Sequence, residues 1–203
     1  MDLSKNVETL GQVFTPEFMV DRMLSMRRNR GRCLEPSCGD GMFFNKIPGC
    51  TGIEIDERFC PDGAICMDFF DYPVSEKFDT IIGNPPYVAY KEVLDDTKKK
   101  LDTNTFSEKT NLYVFFMMKC LDHLNDGGEM IFITPREFMK STSSIPFNRR
   151  LYAEGTITNY FETGDSRVFN GFSPNCIVFR FEKGNFDRNV NGFEFTINDT
   201  GFL

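Results

Sequence analysis

Short apolar segments alternate with turns and helical segments along most of this chain of 203 residues, and that alternation constrains the fold more than any other feature. Apolar spacing typical of a helix predicts helices at Glu17–Met26 and Asn111–Leu124, the second ended by Asp126-Gly127-Gly128. The predicted strands are Arg32–Glu35, Thr51–Ile55, Ala64–Met67, Thr80–Gly83, Glu129–Thr134, Ile157–Glu162 and Cys176–Phe181. Such alternation predicts one doubly wound α/β domain with a mostly parallel sheet, which binds ligands at the carboxyl ends of its strands.

The composition is that of an ordinary globular protein, with 40% apolar and 26% charged residues. The formal net charge of -7 argues against a whole surface devoted to nucleic acid, although it leaves room for a local basic face. A single histidine, His123, excludes a zinc site built from several imidazoles, and no metal site is expected. Seven cysteines without a CxxC pair predict reduced thiols in a cytoplasmic protein, and no apolar run is long enough to span a membrane.

Carboxylates end three successive predicted strands, at Glu35, Glu54 and Asp68. The first lies in a glycine-containing loop, Leu34–Phe43, which is expected to turn tightly and open a helix. A carboxylate after the second strand can bind both hydroxyls of a ribose, and Asp68 with the following phenylalanine can contact an adenine. The alternatives are strand-end caps without a ligand, or a phosphate site, although the loop carries acids and no GKS or GKT sequence. The pattern favours S-adenosylmethionine as cofactor, and the expected contacts are Glu35, Ser37, Gly39, Gly41, Glu54, Ile55, Asp68, Phe69 and Asn84.

The most specific motif is Asn84-Pro85-Pro86-Tyr87, which directly follows an apolar strand. Its two prolines fix φ and remove backbone donors, so the turn is stiff and rich in carbonyl acceptors. The Asn84 side-chain oxygen and the Pro85 carbonyl can both accept hydrogen bonds from one amino group. Two acceptors favour a tetrahedral nitrogen whose lone pair can attack a sulfonium methyl group, and Tyr87 can stack on the base that carries the amine. The alternative is a rigid turn without a catalytic role.

These motifs resemble those of the gamma-type N6-adenine DNA methyltransferases, the TaqI-type modification enzymes, from about Gly11 to about Phe181. Gly11–Pro16 matches the N-terminal motif that closes over the methionine end of the cofactor, which implies Thr15 as a further cofactor contact. The family implies a class I S-adenosylmethionine-dependent methyltransferase fold, Rossmann-like, with a mostly parallel seven-stranded sheet and an antiparallel last strand. It also implies site-specific methylation of N6 on a flipped adenine in DNA, in restriction–modification, by the catalytic residues Asn84, Pro85, Pro86 and Tyr87.

A second aromatic residue stacks on the target base in this family, on a late loop that corresponds to Arg167–Phe172 here. The resemblance makes Phe169 the first candidate for that catalytic position and Phe172 the second. Either can instead be a core residue, because the chain has 23 phenylalanines.

Family members usually carry a separate target-recognition domain, whereas only about twenty residues follow Phe181, enough for a hairpin but not for a domain. We therefore expect residues 1–203 to form a single catalytic domain whose partner is DNA. Recognition of the sequence is expected from missing C-terminal sequence, from a partner subunit, or from Val88–Thr110. That segment carries charges and little apolar periodicity, which predicts a long loop over the active face.

Two other classes of function fit parts of the sequence. Methylation of a glutamine amide in a protein, or of a base in RNA, can use the same Asn-Pro-Pro-Tyr chemistry, because an amide nitrogen is equally delocalised. A cofactor-binding subunit without turnover is the second alternative, although the intact motif at Asn84 argues against it. Methylation at cytosine C5 is disfavoured by the absence of a Pro-Cys nucleophile.

Overall fold

The computed structural model describes residues 14–163 and 175–203. Seven strands form the main sheet: β1 Cys33–Glu35, β2 Thr51–Glu54, β3 Ile65–Cys66, β4 Phe78–Gly83, β5 Leu124–Pro135, β6 Gly155–Glu162 and β7 Cys176–Lys183. Their order is β3-β2-β1-β4-β5-β7-β6. The first five strands run parallel to one another, whereas β7 is antiparallel to both β5 and β6. The predicted fold, a mostly parallel seven-stranded sheet with an antiparallel last strand, is confirmed.

Helices and short turns connect these strands. The helices are α1 Glu17–Ser25, α2 Asp95–Lys98, α3 Leu112–His123 and α4 Ile145–Glu154. Turns of 3₁₀ helix occur at Phe44–Lys46, Phe69–Asp71, Tyr90–Glu92, Arg136–Lys140 and Thr142–Ser144. A small hairpin, β8 Asn189–Val190 with β9 Phe193–Glu194, follows the sheet, as the number of residues after Phe181 allowed.

The sheet is buried on both faces, which explains why its central strands are apolar at almost every position. Successive side chains of a strand point to opposite faces. Ile81 and Phe132 accordingly belong to a cluster that contains α3 and α4, while Ile82 and Ile133 belong to a second cluster that contains α1. The sheet therefore lies between two apolar layers, and polar side chains are found mainly where its strands end.

Two predicted boundaries are wrong. The glycine-containing loop opens no α-helix; it continues into the 3₁₀ turn Phe44–Lys46. β5 begins at Leu124, directly after α3, and not after Gly128. The pairing with β4 shifts register between Phe78 opposite Leu124 and Thr80 opposite Glu129, so the two glycines lie within an irregular part of the strand. A bulge can absorb extra residues in a strand without ending it, and the sequence pattern did not reveal this.

Val88–Thr110 is folded more tightly than its charged sequence suggested. It contains the turn Tyr90–Glu92 and the short helix α2, and it buries four apolar side chains at irregular spacing: Val88, Val93, Leu101 and Phe106. These side chains belong to the same cluster as α3. The segment is thus attached to the core by single apolar contacts, which a helical or strand periodicity does not detect.

Within the described residues, no helix combines the length and the apolar character needed to cross a membrane. The same residues contain no group of three or more histidine, cysteine, aspartate or glutamate side chains arranged to hold a metal ion. All seven cysteines are free thiols.

Candidate active site

The carboxyl ends of β1, β2, β3 and β4 lie next to one another at one edge of the sheet, because these strands are adjacent and parallel. Chain segments that follow these ends line two adjoining pockets, which share Phe14, Ser37, Gly39 and Asn84 and together form one cleft. Most of the predicted cofactor residues line it: Thr15, Glu35, Ser37, Gly39, Glu54, Ile55, Asp68, Phe69 and Asn84. Gly41 does not line the cleft and shapes the loop instead, since its φ is +81° and a Cβ there would lie 2.9 Å from Pro61.

Glu54 occupies the middle of the cleft, and its carboxylate is held by the backbone. Oε2 accepts a hydrogen bond of 2.7 Å from the N–H of Gly39, and Oε1 accepts one of 2.9 Å from the N–H of Asp56. The positive φ of Gly39, +50°, turns the loop so that this N–H faces Glu54. Burial raises the pKa of Glu54, while the two backbone donors oppose that rise. Each carboxylate oxygen keeps further acceptor capacity for a neighbouring diol.

Glu35 lies deeper, at the end of β1, and only 2% of its surface is exposed. Its Oε2 atom has no hydrogen-bond partner among the described residues. Burial raises the pKa of Glu35 well above its ordinary value. A buried carboxylate oxygen without a partner is costly, although a backbone hydrogen bond from Phe44 offsets part of the burial of Glu35, and a positively charged group bound beside it would relieve the remaining cost. This end of the cleft therefore fits the amine of an amino-acid moiety, so the residues present suit S-adenosylmethionine.

Asp68 is more strongly engaged than the sequence suggested. Its Oδ1 accepts from the N–H of Phe70 at 2.9 Å, which caps the turn Phe69–Asp71. Its Oδ2 accepts from the Thr97 hydroxyl at 2.8 Å and from Lys100 Nζ at 2.9 Å. Asp68 thus lines the cleft and also attaches the segment Val88–Thr110 to the end of β3. Any contact with an adenine amine has to share these oxygens.

Phe69 forms part of the cleft wall, and it also belongs to the core. Its ring lies 4.8 Å from that of Phe116 and 5.3 Å from that of His123. Ile55, exposed on the opposite strand end, is the apolar side chain that a planar ring in the cleft can cover. The predicted face-on contact between Phe69 and an adenine stays a prediction.

The Asn84–Tyr87 motif begins where β4 ends. The Asn84 amide donates from Nδ2 to the Thr15 hydroxyl at 3.2 Å, and the Asn84 carbonyl accepts from the Ser37 hydroxyl at 3.1 Å. These bonds tie the motif to the segment before α1 and to the loop after β1. Asn84 and Pro86 line the cofactor cleft, whereas Pro85 is buried.

Tyr87 leaves the cofactor cleft and lines a second cavity of about 300 Å³. Its hydroxyl donates to the carbonyl of Ile133 at 2.7 Å, and its ring packs edge-to-face on Tyr113, with centroids 5.9 Å apart. Burial raises the pKa of Tyr87, so the phenol stays neutral. The second cavity is also lined by Lys109, Asn111, Pro135, Glu137, Ser141, Ser143 and Ser144. The motif therefore contributes to both cavities, with Asn84 and Pro86 lining the cofactor cleft and Tyr87 lining the second cavity.

Several cleft residues were not predicted as part of the site from the sequence. Phe14 and Leu94 are exposed apolar side chains on the cleft rim, and Val93 and Leu112 line its inner wall. Phe14 adjoins the predicted Thr15, so the motif around it was a usable hint, but Leu94 lies in a charged segment. Phe169 and Phe172, predicted for the target-base position, lie outside the described residues.

Comparison with known proteins agrees with this architecture. The family model for the Eco57I restriction-modification methylase matches residues 57–169. The chain is 30% identical over 204 residues to the type II methyltransferase M.HincII of Haemophilus influenzae, covering 94% of this chain and 40% of that protein. It is 32% identical to M.TthHB8I of Thermus thermophilus, covering 87% of this chain and 46% of that protein. The chain thus spans less than half the length of these relatives.

Among solved structures, a Listeria monocytogenes protein described as a class I S-adenosylmethionine-dependent methyltransferase superposes with a TM-score of 0.70. The sequence identity is 14%, and the alignment covers 91% of this chain and 65% of that one. At this identity the match establishes the fold alone, that of a class I S-adenosylmethionine-dependent methyltransferase.

Proposed function

Because the chain belongs to the Eco57I family of restriction-modification methylases, we propose that it transfers a methyl group from S-adenosylmethionine to the N6 amine of adenine in DNA. One observation carries this proposal: residues of the Asn84–Tyr87 motif line both cavities, Asn84 and Pro86 the first and Tyr87 the second. A cofactor in the first cavity and a base in the second would meet at Asn84. The gamma-type sequence motif, the relatives' names and the cleft chemistry all support this assignment.

The chain's residues divide the cofactor cleft into three parts. Glu35 would hold the amine, Glu54 the ribose hydroxyls, and Asp68 with Ile55 the adenine. When bound, the cofactor supplies a methyl group on a positively charged sulfur. Phe14 and Leu94 on the rim would exclude water from the bound cofactor, which strengthens electrostatic interactions inside the cleft.

The amine of adenine is a poor nucleophile, because its lone pair is delocalised into the ring. Hydrogen bonds from its two N–H groups to Asn84 Oδ1 and to the Pro85 carbonyl would localise that lone pair on nitrogen. The amine would then be oriented to accept the methyl group that the bound cofactor supplies, and its surplus N–H proton would pass to solvent. The rate gain comes from position and electrostatics, so no general base with a shifted pKa is needed.

The second cavity would receive the flipped base against Tyr87. In the sequence, Phe169 and Phe172 lie between the described residues Thr163 and Asn175, and the carbonyl of Asn175 accepts from the N–H of Arg136 at 2.9 Å. We assign the second stacking position to Phe169. Replacing each phenylalanine by alanine tests this, because loss of the stacking ring should slow methylation and loss of a core ring should lower the melting temperature.

The decisive experiment incubates the chain with radiolabelled S-adenosylmethionine and three separate substrates: DNA of random sequence, RNA and a glutamine-rich protein extract. Digestion of the DNA should yield labelled N6-methyl-2′-deoxyadenosine, whereas the RNA and the protein extract should carry no label. Label in glutamine or in ribonucleosides would assign the chain to the alternative methyltransferases. Binding of the cofactor without any labelled product would instead indicate a non-catalytic subunit.

A further inference from the structure

We propose that the hydroxyl of Ser144 reads the ring edge of the target base, by donating a hydrogen bond to a ring nitrogen of the adenine in the second cavity; this rests on the proposed function. Ser144 is 0% exposed and lines that cavity. Its Oγ atom has no hydrogen-bond partner among the described residues. Buried hydroxyls are almost always paired, because an unpaired one loses its bonds to water without replacement. A bound base would supply the missing partner.

The chemistry of the cavity suits a neutral planar ring. Tyr87, Tyr113 and Pro135 form apolar walls. The charged side chains on the lining, Lys109 and Glu137, are one cation and one anion, and both are exposed. A phosphate would meet a carboxylate there with a single lysine to offset it, whereas an uncharged heterocycle meets no such repulsion.

The inner wall carries hydroxyls that can donate and accept. Ser141 and Ser143 already bond to each other at 2.8 Å, and the Asn111 side chain accepts from the N–H of Tyr113 at 3.4 Å. Among the described residues, the hydroxyl oxygen of Ser144 has no hydrogen-bond partner. It is therefore the best-placed donor for the base. When the N6 amine is bound at Asn84, the remaining polar atoms of adenine are ring nitrogens, which only accept.

Local structure holds Ser144 in place. Its N–H donates to the carbonyl of Ser141 at 3.1 Å within the turn Thr142–Ser144, directly before α4. The buried amide of Asn148 then fixes α4, because its Nδ2 donates to the carbonyls of Phe138 at 2.9 Å and Gly201 at 3.2 Å. A hydroxyl positioned in this way can discriminate a nitrogen from a C–H at the same ring position.

The test compares Ser144→Ala with the wild type on single-stranded oligonucleotides that each contain one target purine: adenine, 1-deazaadenine, 3-deazaadenine or 7-deazaadenine. The wild type should lose kcat/KM on the analogue that lacks the contacted nitrogen. S144A should lose about tenfold on adenine and show no additional loss on that same analogue. A loss that is equal on all four substrates, or no loss on any, overturns the inference.

Thr134→Val is the matched control. Thr134 is also fully buried, and its Oγ1 has no partner among the described residues, but it does not line the cavity. Its replacement should leave all four rates unchanged. S144A should melt at or above the temperature of the wild type, because it removes an unpaired buried hydroxyl. If the wild type methylates no adenine, both the proposed function and this inference fail; methylation without the analogue-specific effect removes this inference alone.

Discussion

The side-chain amide of Asn84 donates a hydrogen bond from Nδ2 to Oγ1 of Thr15 across 3.2 Å, although the two residues are 69 positions apart in the chain. This bond orients the amide, because it places the nitrogen toward Thr15 and the acceptor oxygen on the opposite side. Thr15 comes directly before Pro16, the N-cap of α1. The start of that helix therefore sets the orientation of the Asn84 side chain, which is proposed to bind the N6 amine of the target adenine. Thr15 is therefore a positioning residue as well as a predicted cofactor contact.

Replacing Asn84 by alanine should lower turnover by about 10² or more while cofactor affinity stays nearly unchanged, because the lost acceptor acts on the target amine. Thr15→Val should lower turnover less, by about tenfold, since it releases the orientation of the amide but leaves the acceptor oxygen of Asn84 in place. Single-turnover rates and calorimetric titration with S-adenosylmethionine measure the two effects separately. If Asn84→Ala keeps its turnover and loses cofactor binding, Asn84 contacts the cofactor and not the target amine.

Glu35→Gln should stabilise the empty protein at alkaline pH and weaken cofactor binding. Because the pKa of Glu35 is raised in the folded state, the folded chain holds this proton to higher pH than the unfolded chain. The stabilisation that protonated Glu35 gives to the folded state is complete below its pKa in the unfolded chain, about 4.3, and is lost as the pH rises through its pKa in the folded chain. Urea unfolding at pH 5 and pH 8 should show that E35Q removes this loss.

In the presence of cofactor, the wild type should have the advantage over E35Q. The amine of the cofactor would pair with the ionised Glu35, so wild-type affinity should exceed that of E35Q by about 10 to 100-fold. Glu57→Gln, at an exposed carboxylate, is the control and should change neither property. Equal cofactor affinity in E35Q and the wild type would show that Glu35 does not receive the amine.

The strand ends were predictable because one rule governs them. In a parallel sheet all carboxyl ends meet at one edge, so Glu35, Glu54 and Asn84 could be placed together from the order of the strands alone. The rule says nothing about side-chain direction after a turn. The departure of Tyr87 into a second cavity depends on the Ile133 carbonyl, which lies on β5 and is fixed by tertiary packing.

Other elements had no local signal. α4 was not predicted, since a polar residue, Asn148, is buried on its inner face next to Phe147 and Leu151. That burial is compensated by carbonyls as distant as Gly201, a contact that no sequence window contains. Leu94 reaches the cleft rim because Thr97 and its neighbours are fastened to Asp68 at the end of β3.

Arg180→Met should destabilise the fold by about 3–5 kcal/mol, because it leaves a buried carboxylate without its cation. Arg180 Nε lies 2.6 Å from Glu129 Oε2, and the two side chains are 4% and 1% exposed. The same carboxylate also accepts from the backbone N–H of Asn29 at 2.8 Å, so it joins three segments at the edge opposite the cleft. Urea unfolding measures the loss.

The matched control for that pair is Arg136→Met. Arg136 pairs with Glu162 at 3.2 Å, but both side chains are about half exposed, at 47% and 53%, and solvent screens them. Its replacement should change the free energy of unfolding very little. If the two arginine variants unfold at the same urea concentration, the buried network contributes no more than a surface pair.

The isolated chain should methylate adenine faster in single-stranded or mismatched DNA than in matched duplex, with little sequence preference. The target amine has to reach Asn84 between the two cavities, and it cannot do so while the base is paired and stacked. Flipping costs a few kcal/mol, and least where the base is mispaired or already single-stranded. Stacking on Tyr87 returns about 1–3 kcal/mol, while the net charge of -7 opposes approach of a duplex.

Rates at one low salt concentration on matched, mismatched and single-stranded oligonucleotides measure that preference. Tyr87→Ala should lose more rate on matched duplex than on single strands, because only the duplex requires stacking to offset the cost of flipping. Tyr87→Phe is the control: it keeps the ring and removes the hydroxyl with its hydrogen bonds, among them the one to the Ile133 carbonyl, so the ratio between substrates should stay near that of the wild type. Selective and rapid methylation of one matched duplex sequence by residues 1–203 would contradict the prediction. In that case the exposed residues of Val88–Thr110 become the candidate reader, since this segment already borders the cofactor cleft through Val93, Leu94 and Thr97.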